Sequence, residues 1–253
     1  MSPCKNENLG AGITAVISDA HGFGTDAILL AHFAAPKKND KACDLGTGCG
    51  IIPLLWCREA RAAKITAVEI QTGACEQVRK AIEINRLSGR LEIVNADLRE
   101  LKGVLPAGAF DLVTMNPPYK AQGAGRASKD EAGLIARHEV MCTLEEAAAA
   151  AAGLLKFGGR FCLCHRPERL CDVFTAMRAA GVEPKRLRMV AQTNGKAPWL
   201  ILAEGRKGGK PGLVIEPQLA VENESGGYSE EMKSIYGDYQ QNGTDDLSQT
   251  AGM

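Results

Sequence analysis

From Lys41 onward, short apolar runs alternate with longer segments whose apolar positions recur at helical spacing. The short runs predict strands at Ala42 to Leu45, Ile65 to Ile70, Leu91 to Asn95, Phe110 to Met115, Arg160 to Cys164, Leu187 to Ala191 and Trp199 to Ala203. The longer ones predict helices at Ile51 to Glu59, Thr72 to Leu87, Thr143 to Lys156 and Pro167 to Ala180, with Gly158 and Gly181 placed to cap the last two. Strands joined by crossover helices define an α/β fold with a seven-stranded, mostly parallel sheet. No helix fits between the final two strands. Their polar link, Gln192 to Pro198, therefore predicts an antiparallel hairpin at the sheet edge.

Outside this alternation the signals are shorter. Ile13 to Ser18 predicts a strand, Thr25 to Phe33 a helix with Thr25 as its N-cap, and Leu213 to Glu216 one more edge strand. The chain thus divides into an N-terminal extension (1–40), a main domain (41–210), a C-terminal extension (211–236) and a polar tail (237–253) with almost nothing to bury, read as disordered. No internal repeat is present.

Thirty basic residues balance thirty acidic ones, yet the charge is sorted along the chain. Residues 156–210 are strongly basic and residues 211–253 strongly acidic. Such a block suits phosphate, and it equally suits a solvated surface balanced by the acidic tail. The longest run without a polar residue, Ala147 to Leu155, falls short of the roughly 20 residues a membrane span needs. Met1 to Asn8 lacks the order of a secretory signal. The nine cysteines are odd in number and contain no Cys-x-x-Cys, so they read as reduced thiols of a cytoplasmic protein. Cys162 and Cys164 share one face because alternate strand residues do, and no metal is expected.

The chemistry concentrates where strands end. Asp44-Leu45-Gly46-Thr47-Gly48-Cys49-Gly50 joins the first strong strand to a helix, so backbone can approach a ligand closely. It lacks the Gly-Lys-Ser/Thr of a P-loop, its third glycine comes one residue early for a dinucleotide fingerprint, and Asp44 would repel a pyrophosphate while suiting a cationic amine. Glu69 ends the next strand, where a carboxylate can accept both hydroxyls of a ribose. Asp97 follows the third, placed to accept from an adenine amine. The fourth strand runs into Asn116-Pro117-Pro118-Tyr119, whose prolines stop the ladder. This tetrapeptide offers an amide oxygen at Asn116, a backbone carbonyl at Pro117 and an aromatic face at Tyr119. Two acceptors and a stacking face suit a planar amino group.

Together with Phe23-Gly24-Thr25-Asp26-Ala27-Ile28-Leu29-Leu30-Ala31, Ala136-Arg137-His138-Glu139, His165-Arg166-Pro167, Glu204-Gly205-Arg206-Lys207-Gly208-Gly209-Lys210-Pro211 and Tyr228-Ser229-Glu230-Glu231-Met232, these motifs resemble class I S-adenosylmethionine-dependent methyltransferases over about residues 8–236. Within that class the chain is similar to the tRNA (adenine-N6) methyltransferases acting on adenosine 37, beside the anticodon of a valine tRNA. The resemblance implies a Rossmann-like fold and S-adenosylmethionine as cofactor. It implies that Phe23 and Thr25 close over the methionine end, that Gly46 and Gly48 pass beneath it, that Glu69 holds the ribose, and that Asp97 with the Leu98 amide reads the adenine. Asn116, Pro117 and Tyr119 would grip the target base. His21 stands where an aromatic apolar residue is expected two positions before Phe23, and reads as a lid or surface residue, since the reaction needs no strong base at the amine.

The expected partner is RNA, most simply tRNA, met by a monomer with no membrane contact. Lys120 to His138 has the length of a lid or binding loop, with Arg126, Lys129 and Arg137 facing phosphate; Lys120, Arg166, Lys207 and Lys210 extend that basic set. The same tetrapeptide serves enzymes that methylate release-factor glutamine, DNA adenine or ribosomal guanine. Known glutamine enzymes carry a helical domain ahead of the glycine loop, and DNA enzymes append a recognition domain, neither of which the spacing here accommodates. A non-catalytic RNA-binding protein retaining the fold is the remaining alternative.

Overall fold

The computed structural model describes residues 3–59, 61–62, 64–117 and 142–239. A small antiparallel pair, β1 (Lys5–Asn8) and β2 (Thr14–Ile17), precedes helix α1 (Thr25–Ala34). Then follow β3 (Lys41–Leu45), α2 (Ile51–Arg58), β4 (Lys64–Glu69), α3 (Thr72–Ile84), β5 (Leu91–Asn95) and β6 (Phe110–Met115). After the undescribed stretch come α4 (Leu144–Leu154), β7 (Leu155–His165), α5 (Leu170–Ala179), β8 (Val182–Ala191) and β9 (Leu200–Lys207). Two short strands, β10 (Val214–Ile215) and β11 (Leu219–Ala220), and helix α6 (Glu230–Tyr236) complete the fold.

Strand order in the main sheet is β10-β8-β9-β7-β6-β3-β4-β5, with β11 also paired to β8. The seven expected strands form its body, and the two short strands lengthen its edge. β9 runs antiparallel between β7 and β8, so the expected hairpin is present. The sheet reverses winding between β3 and β6, where ligands of open α/β sheets bind. One apolar layer packs α1, α2 and α3 against one face; α4 and α5 cover the other. Trp56, on α2, anchors the first layer, being 1% exposed with Nε1 donating to Ala31 O at 3.0 Å. Its truncation to Ala would cost about 3–5 kcal/mol. Among the described residues no helix is long and apolar enough to cross a membrane.

Several boundaries differ from the sequence reading for identifiable reasons. Gly158 is not a helix cap: α4 ends at Leu154, and Gly158, at φ +77°, sits where the pairing of β7 to β6 slips between Phe110 and Leu112. A left-handed glycine is what such a bulge demands. Gly181, at φ +74°, does follow α5 in the capping position. Thr25 is the first residue of α1 rather than its cap, since Gly24 occupies that place. Thr143 caps α4 through a reciprocal pair with Glu146. The polar strand Lys5–Asn8 carries no periodic signal because backbone pairing to β2 and a hydrogen bond from Tyr239 Oη to Glu7 Oε1, at 3.2 Å, hold it rather than an apolar face. The tail was expected to bury nothing, yet Tyr239 is 6% exposed, packed beside Phe23 and stacked 5.7 Å from Tyr236.

Candidate active site

The strand-end residues meet at one cavity of about 360 Å³. Gly46 and Gly48 reach it from β3, Glu69 from β4, Ala96, Asp97 and Leu98 from β5, and Met115, Asn116 and Pro117 from β6. Ala20, His21, Gly22 and Asp26 close the fourth side. Its volume lies in the roughly 300–1,000 Å³ range of small-molecule sites.

The glycine loop is shaped for close approach. Gly46 and Gly48 hold φ of +63° and +57°, and a Cβ built on Gly48 would meet nothing within 4 Å. Gly50 serves packing instead: its Cβ would stand 3.0 Å from Val78 of α3. Glu69 is buried, its Oε2 accepting from Gly48 N and its Oε1 from Gln71 N, each at 2.9 Å. A carboxylate has about four acceptor positions, so both oxygens retain capacity for a diol.

Four placements correct the sequence reading. Asp44 stands behind the loop rather than on the cavity wall: it is 1% exposed, and Oδ1 accepts from Thr114 Oγ1 at 2.6 Å. Burial pushes its carboxyl up to about 7, against the pull of the Thr114 and Thr47 hydroxyls. Asp97 lines the cavity, but its carboxylate is held by Arg99, whose Nε lies 3.0 Å from both oxygens and whose backbone N–H donates to Oδ1 at 2.9 Å. The Arg99 hydrogen bond keeps that carboxyl below its ordinary range, so Asp97 works as an ion-paired cap rather than an open adenine acceptor. Phe23 and Thr25 are not cavity residues. Phe23 packs 6.1 Å from the Tyr239 ring, and Thr25 Oγ1 lies 3.2 Å from Tyr236 Oη, which leaves the neighbouring Asp26 to face the cavity.

The basic block resolves into fasteners. Lys207 points inward, its Nζ donating to Ala152 O at 2.6 Å and Leu155 O at 2.8 Å, which caps the carbonyl end of α4. Lys210 is exposed but follows the end of β9 whose Arg206 pairs with Arg160 at the start of β7. At about 3.3 Å per residue, that edge lies roughly 17 Å or more from the cavity edge, where β9 begins opposite His165. Lys207 is therefore spent within the fold, whereas Lys210 stays on the surface. Arg160, Arg186 and Arg188 are ion-paired to Glu204, Glu204 and Glu231. Arg166 is exposed just past the carboxyl end of β7, its Nη1 donating to Trp199 O at 3.4 Å. Tyr119, Lys120, Arg126, Lys129 and Arg137 lie outside the described residues.

Sequence reasoning missed the partners of Asn116. Its Nδ2 donates to Asp26 Oδ2 at 3.2 Å, and Cys164 Sγ donates to its Oδ1 at 3.1 Å. Cys162 turns instead to Glu204, at 3.7 Å, so the two thiols serve different partners. Among the described residues no cluster of His, Cys, Asp and Glu could hold a metal ion. His165 is 4% exposed, and burial with the Arg169 charge pushes it down to about 4, so its imidazole is neutral, with Nδ1 accepting from Arg166 N at 2.8 Å.

With Asp97 neutralised by Arg99 and Asp26 turned to Asn116, the buried Glu69 leaves the cavity hostile to phosphate and suited to a cation. The cavity presents an open glycine cradle, this diol-accepting carboxylate and apolar walls at Val68, Ile70, Leu98 and Met115 for a flat ring. This donor set fits S-adenosylmethionine. A 0.67 TM-score superposition on an Agrobacterium tumefaciens protein described as a predicted O-methyltransferase, at 20% identity over 84% of this chain and 95% of that one, supports the same fold. The molecule is thus a class I S-adenosylmethionine-dependent methyltransferase, and residues 16–165 match the methyltransferase small domain family.

More narrowly, the chain belongs to the tRNA1(Val) (adenine(37)-N6)-methyltransferase family. It is 30% identical to a member from Porphyromonas gingivalis over 72% of this chain and 73% of that protein. A member from Tolumonas auensis is 29% identical over 84% of this chain and 86% of its own length.

Proposed function

We propose that the protein transfers a methyl group from S-adenosylmethionine to N6 of adenosine 37 in the anticodon loop of a valine tRNA. The observation that carries this reading is the position of Asn116 and Pro117 at the end of β6, on the wall of the cavity that also holds Gly46, Gly48 and Glu69. The base and the tRNA come from the names of the Tolumonas and Porphyromonas relatives.

Bound S-adenosylmethionine supplies a methyl group on a positively charged sulfur. The remaining work falls to the chain. Gly46 and Gly48 accommodate the amino-acid end, Glu69 accepts from the ribose, and the Leu98 amide with the apolar wall receives the adenine ring. Adenine N6 is a poor nucleophile because its lone pair is conjugated with the ring. Accepting its two N–H bonds at Asn116 Oδ1 and Pro117 O holds the amine in line and favours the pyramidal nitrogen of the transition state. Tyr119 follows as the stacking face. An anticodon-loop base can leave its stack at the modest energetic cost an unpaired nucleotide requires. Arg166, with Lys120, Arg126, Lys129 and Arg137, would meet the RNA backbone.

The test is incubation with methyl-labelled S-adenosylmethionine and, separately, bulk tRNA, ribosomal RNA, DNA and release factor, followed by mass spectrometry of the product. N6-methyladenosine at position 37 of the valine tRNA is the expected outcome. Label confined to protein, DNA or another base overturns the assignment.

A further inference from the structure

Three separate elements converge on the side chain of Asn116. Asp26 comes from the first turn of α1, Cys164 from the last turn of pairing in β7, and Asn116 from the end of β6. Asp26 Oδ2 accepts from Asn116 Nδ2 at 3.2 Å, and Cys164 Sγ donates to Asn116 Oδ1 at 3.1 Å. Asp26 lines the same cavity as Asn116, whereas Cys164 is fully buried.

We propose that Asp26, backed by Cys164, is a positioning residue that fixes which end of the Asn116 carboxamide faces the target amine. The inference rests on the adenine-N6 reading above. A carboxamide is nearly symmetric in shape, with an oxygen acceptor at one end and an NH₂ donor at the other, and rotation by half a turn exchanges them. Against a target amine, which presents two N–H donors, only one of these orientations is productive; the other sets donor against donor. A carboxylate accepts and never donates when ionised, so Asp26 takes the NH₂ end. A thiol 3.1 Å from Oδ1 selects the same orientation from the other side.

Asp26 is itself held. Its Oδ1 accepts from Ala27 N at 2.9 Å in the first turn of α1, where the helix dipole favours an anion. Gly24 makes room for it: a Cβ built there would lie 2.7 Å from Asp26 Oδ1, although the Gly24 backbone, at φ −113°, is open to any residue. The absence of a side chain at Gly24 therefore serves the carboxylate and not the turn. Tyr236 Oη beside Thr25 Oγ1 pins the same turn from the C-terminal extension. The negative charge also polarises the amide. As the attacking nitrogen becomes positive, an Asn116 oxygen made richer in electron density by Asp26 stabilises the transition state more than the ground state.

The two effects separate by substitution. Asp26→Asn keeps an acceptor oxygen but removes the charge, Asp26→Ala removes both, and Gly24→Ala keeps the carboxylate while displacing it. Turnover on valine tRNA is expected to fall by about 10-fold in Asp26→Asn and about 100-fold in Asp26→Ala, with Gly24→Ala between them. S-adenosylmethionine affinity, read by calorimetry, stays within about threefold. Cys164→Ala lowers turnover by several-fold alone and adds little to Asp26→Ala, because both act on one rotation.

A second readout does not depend on activity. In protein carrying ¹⁵N-labelled asparagine, the side-chain NH₂ pair missing from Asn116→Ala belongs to Asn116. Asp26→Ala is expected to move that pair toward solvent-like shifts and speed its hydrogen exchange. An unmoved pair, full turnover in Asp26→Ala, or cofactor affinity that falls in step with turnover overturns the proposal, the last assigning Asp26 to the cofactor's ammonium group. Should wild-type protein leave tRNA adenine unmethylated, the proposed function fails by itself, and the NH₂ resonances still decide the role of Asp26.

Discussion

The two ends of the sheet carry polar clusters built from similar residues and put to opposite uses. At the amino end of the parallel strands, Glu204 is 7% exposed and its Oε2 accepts from Arg160 at 3.2 Å and Arg186 at 3.1 Å. Both guanidinium groups also meet the carbonyls that finish α1, and Arg186 covers the Phe33 ring at 4.0 Å. The charges of this cluster are consumed within the fold. At the carboxyl end, Asp26, Glu69 and Asn116 are likewise hydrogen-bonded to the protein, but each keeps a face on the cavity. A buried charge cluster marks a site only where its partners leave acceptor capacity open to a ligand; a closed one marks a joint.

The largest effect that separates the two ends is expected from Glu204→Ala. It removes the carboxylate shared by two partly buried guanidinium groups, leaving them the longer pairs to Asp40 at 3.6 Å and Glu216 at 3.4 Å, and should cost about 3 kcal/mol of stability, measured by urea unfolding, while methyl transfer per folded molecule is retained. Glu204→Gln, which keeps one acceptor, covers the case in which the first variant does not fold. Loss of transfer in folded Glu204→Gln would mean that the amino end takes part in the chemistry.

Asp44 offers a pH signature behind the site. Its folded pKa of about 7 lies above the 3.8 of the free side chain, so the folded state holds the proton more tightly. Its contribution is greatest below about pH 4, is lost as pH rises to about 7, and stays lost above. The swing is on the order of 4 kcal/mol. Asp44→Asn should therefore be more stable than wild type at pH 8 and flatten that slope; an unchanged slope would mean the carboxyl is already ionised in the folded protein.

How much of this was legible beforehand depended on sequence distance. The glycine loop, Glu69 and the Asn116-Pro117 pair could be read because each is a local pattern at the end of an apolar run, and the sheet brings strand ends together whatever the loops do. Asp26 and Asn116 are 90 residues apart, and Cys164 is 48 from Asn116; no periodicity couples them. The basic block misled for a related reason. Composition counts the charge of Lys207 or Arg186 but not where a long side chain turns, and both turn inward to helix carbonyls. Tyr239 escaped because one aromatic in a polar tail is enough to anchor it.

Smaller effects sharpen the contrast. Arg166→Ala should weaken valine tRNA binding a few-fold and lower the salt slope by about one phosphate. Lys207→Ala should leave both unchanged and lower stability by about 1 kcal/mol through the lost helix cap. The reverse pattern would move the RNA to the amino end.

The most direct measurement is single-turnover methyl transfer by Asn116→Ala beside its S-adenosylmethionine binding isotherm. Transfer to tRNA is expected to drop by about 10²–10³-fold or more while cofactor affinity stays within a few-fold, because the amide works on the target amine. Transfer at the wild-type rate, or cofactor binding lost in proportion, would contradict a cavity in which Asn116 holds the base.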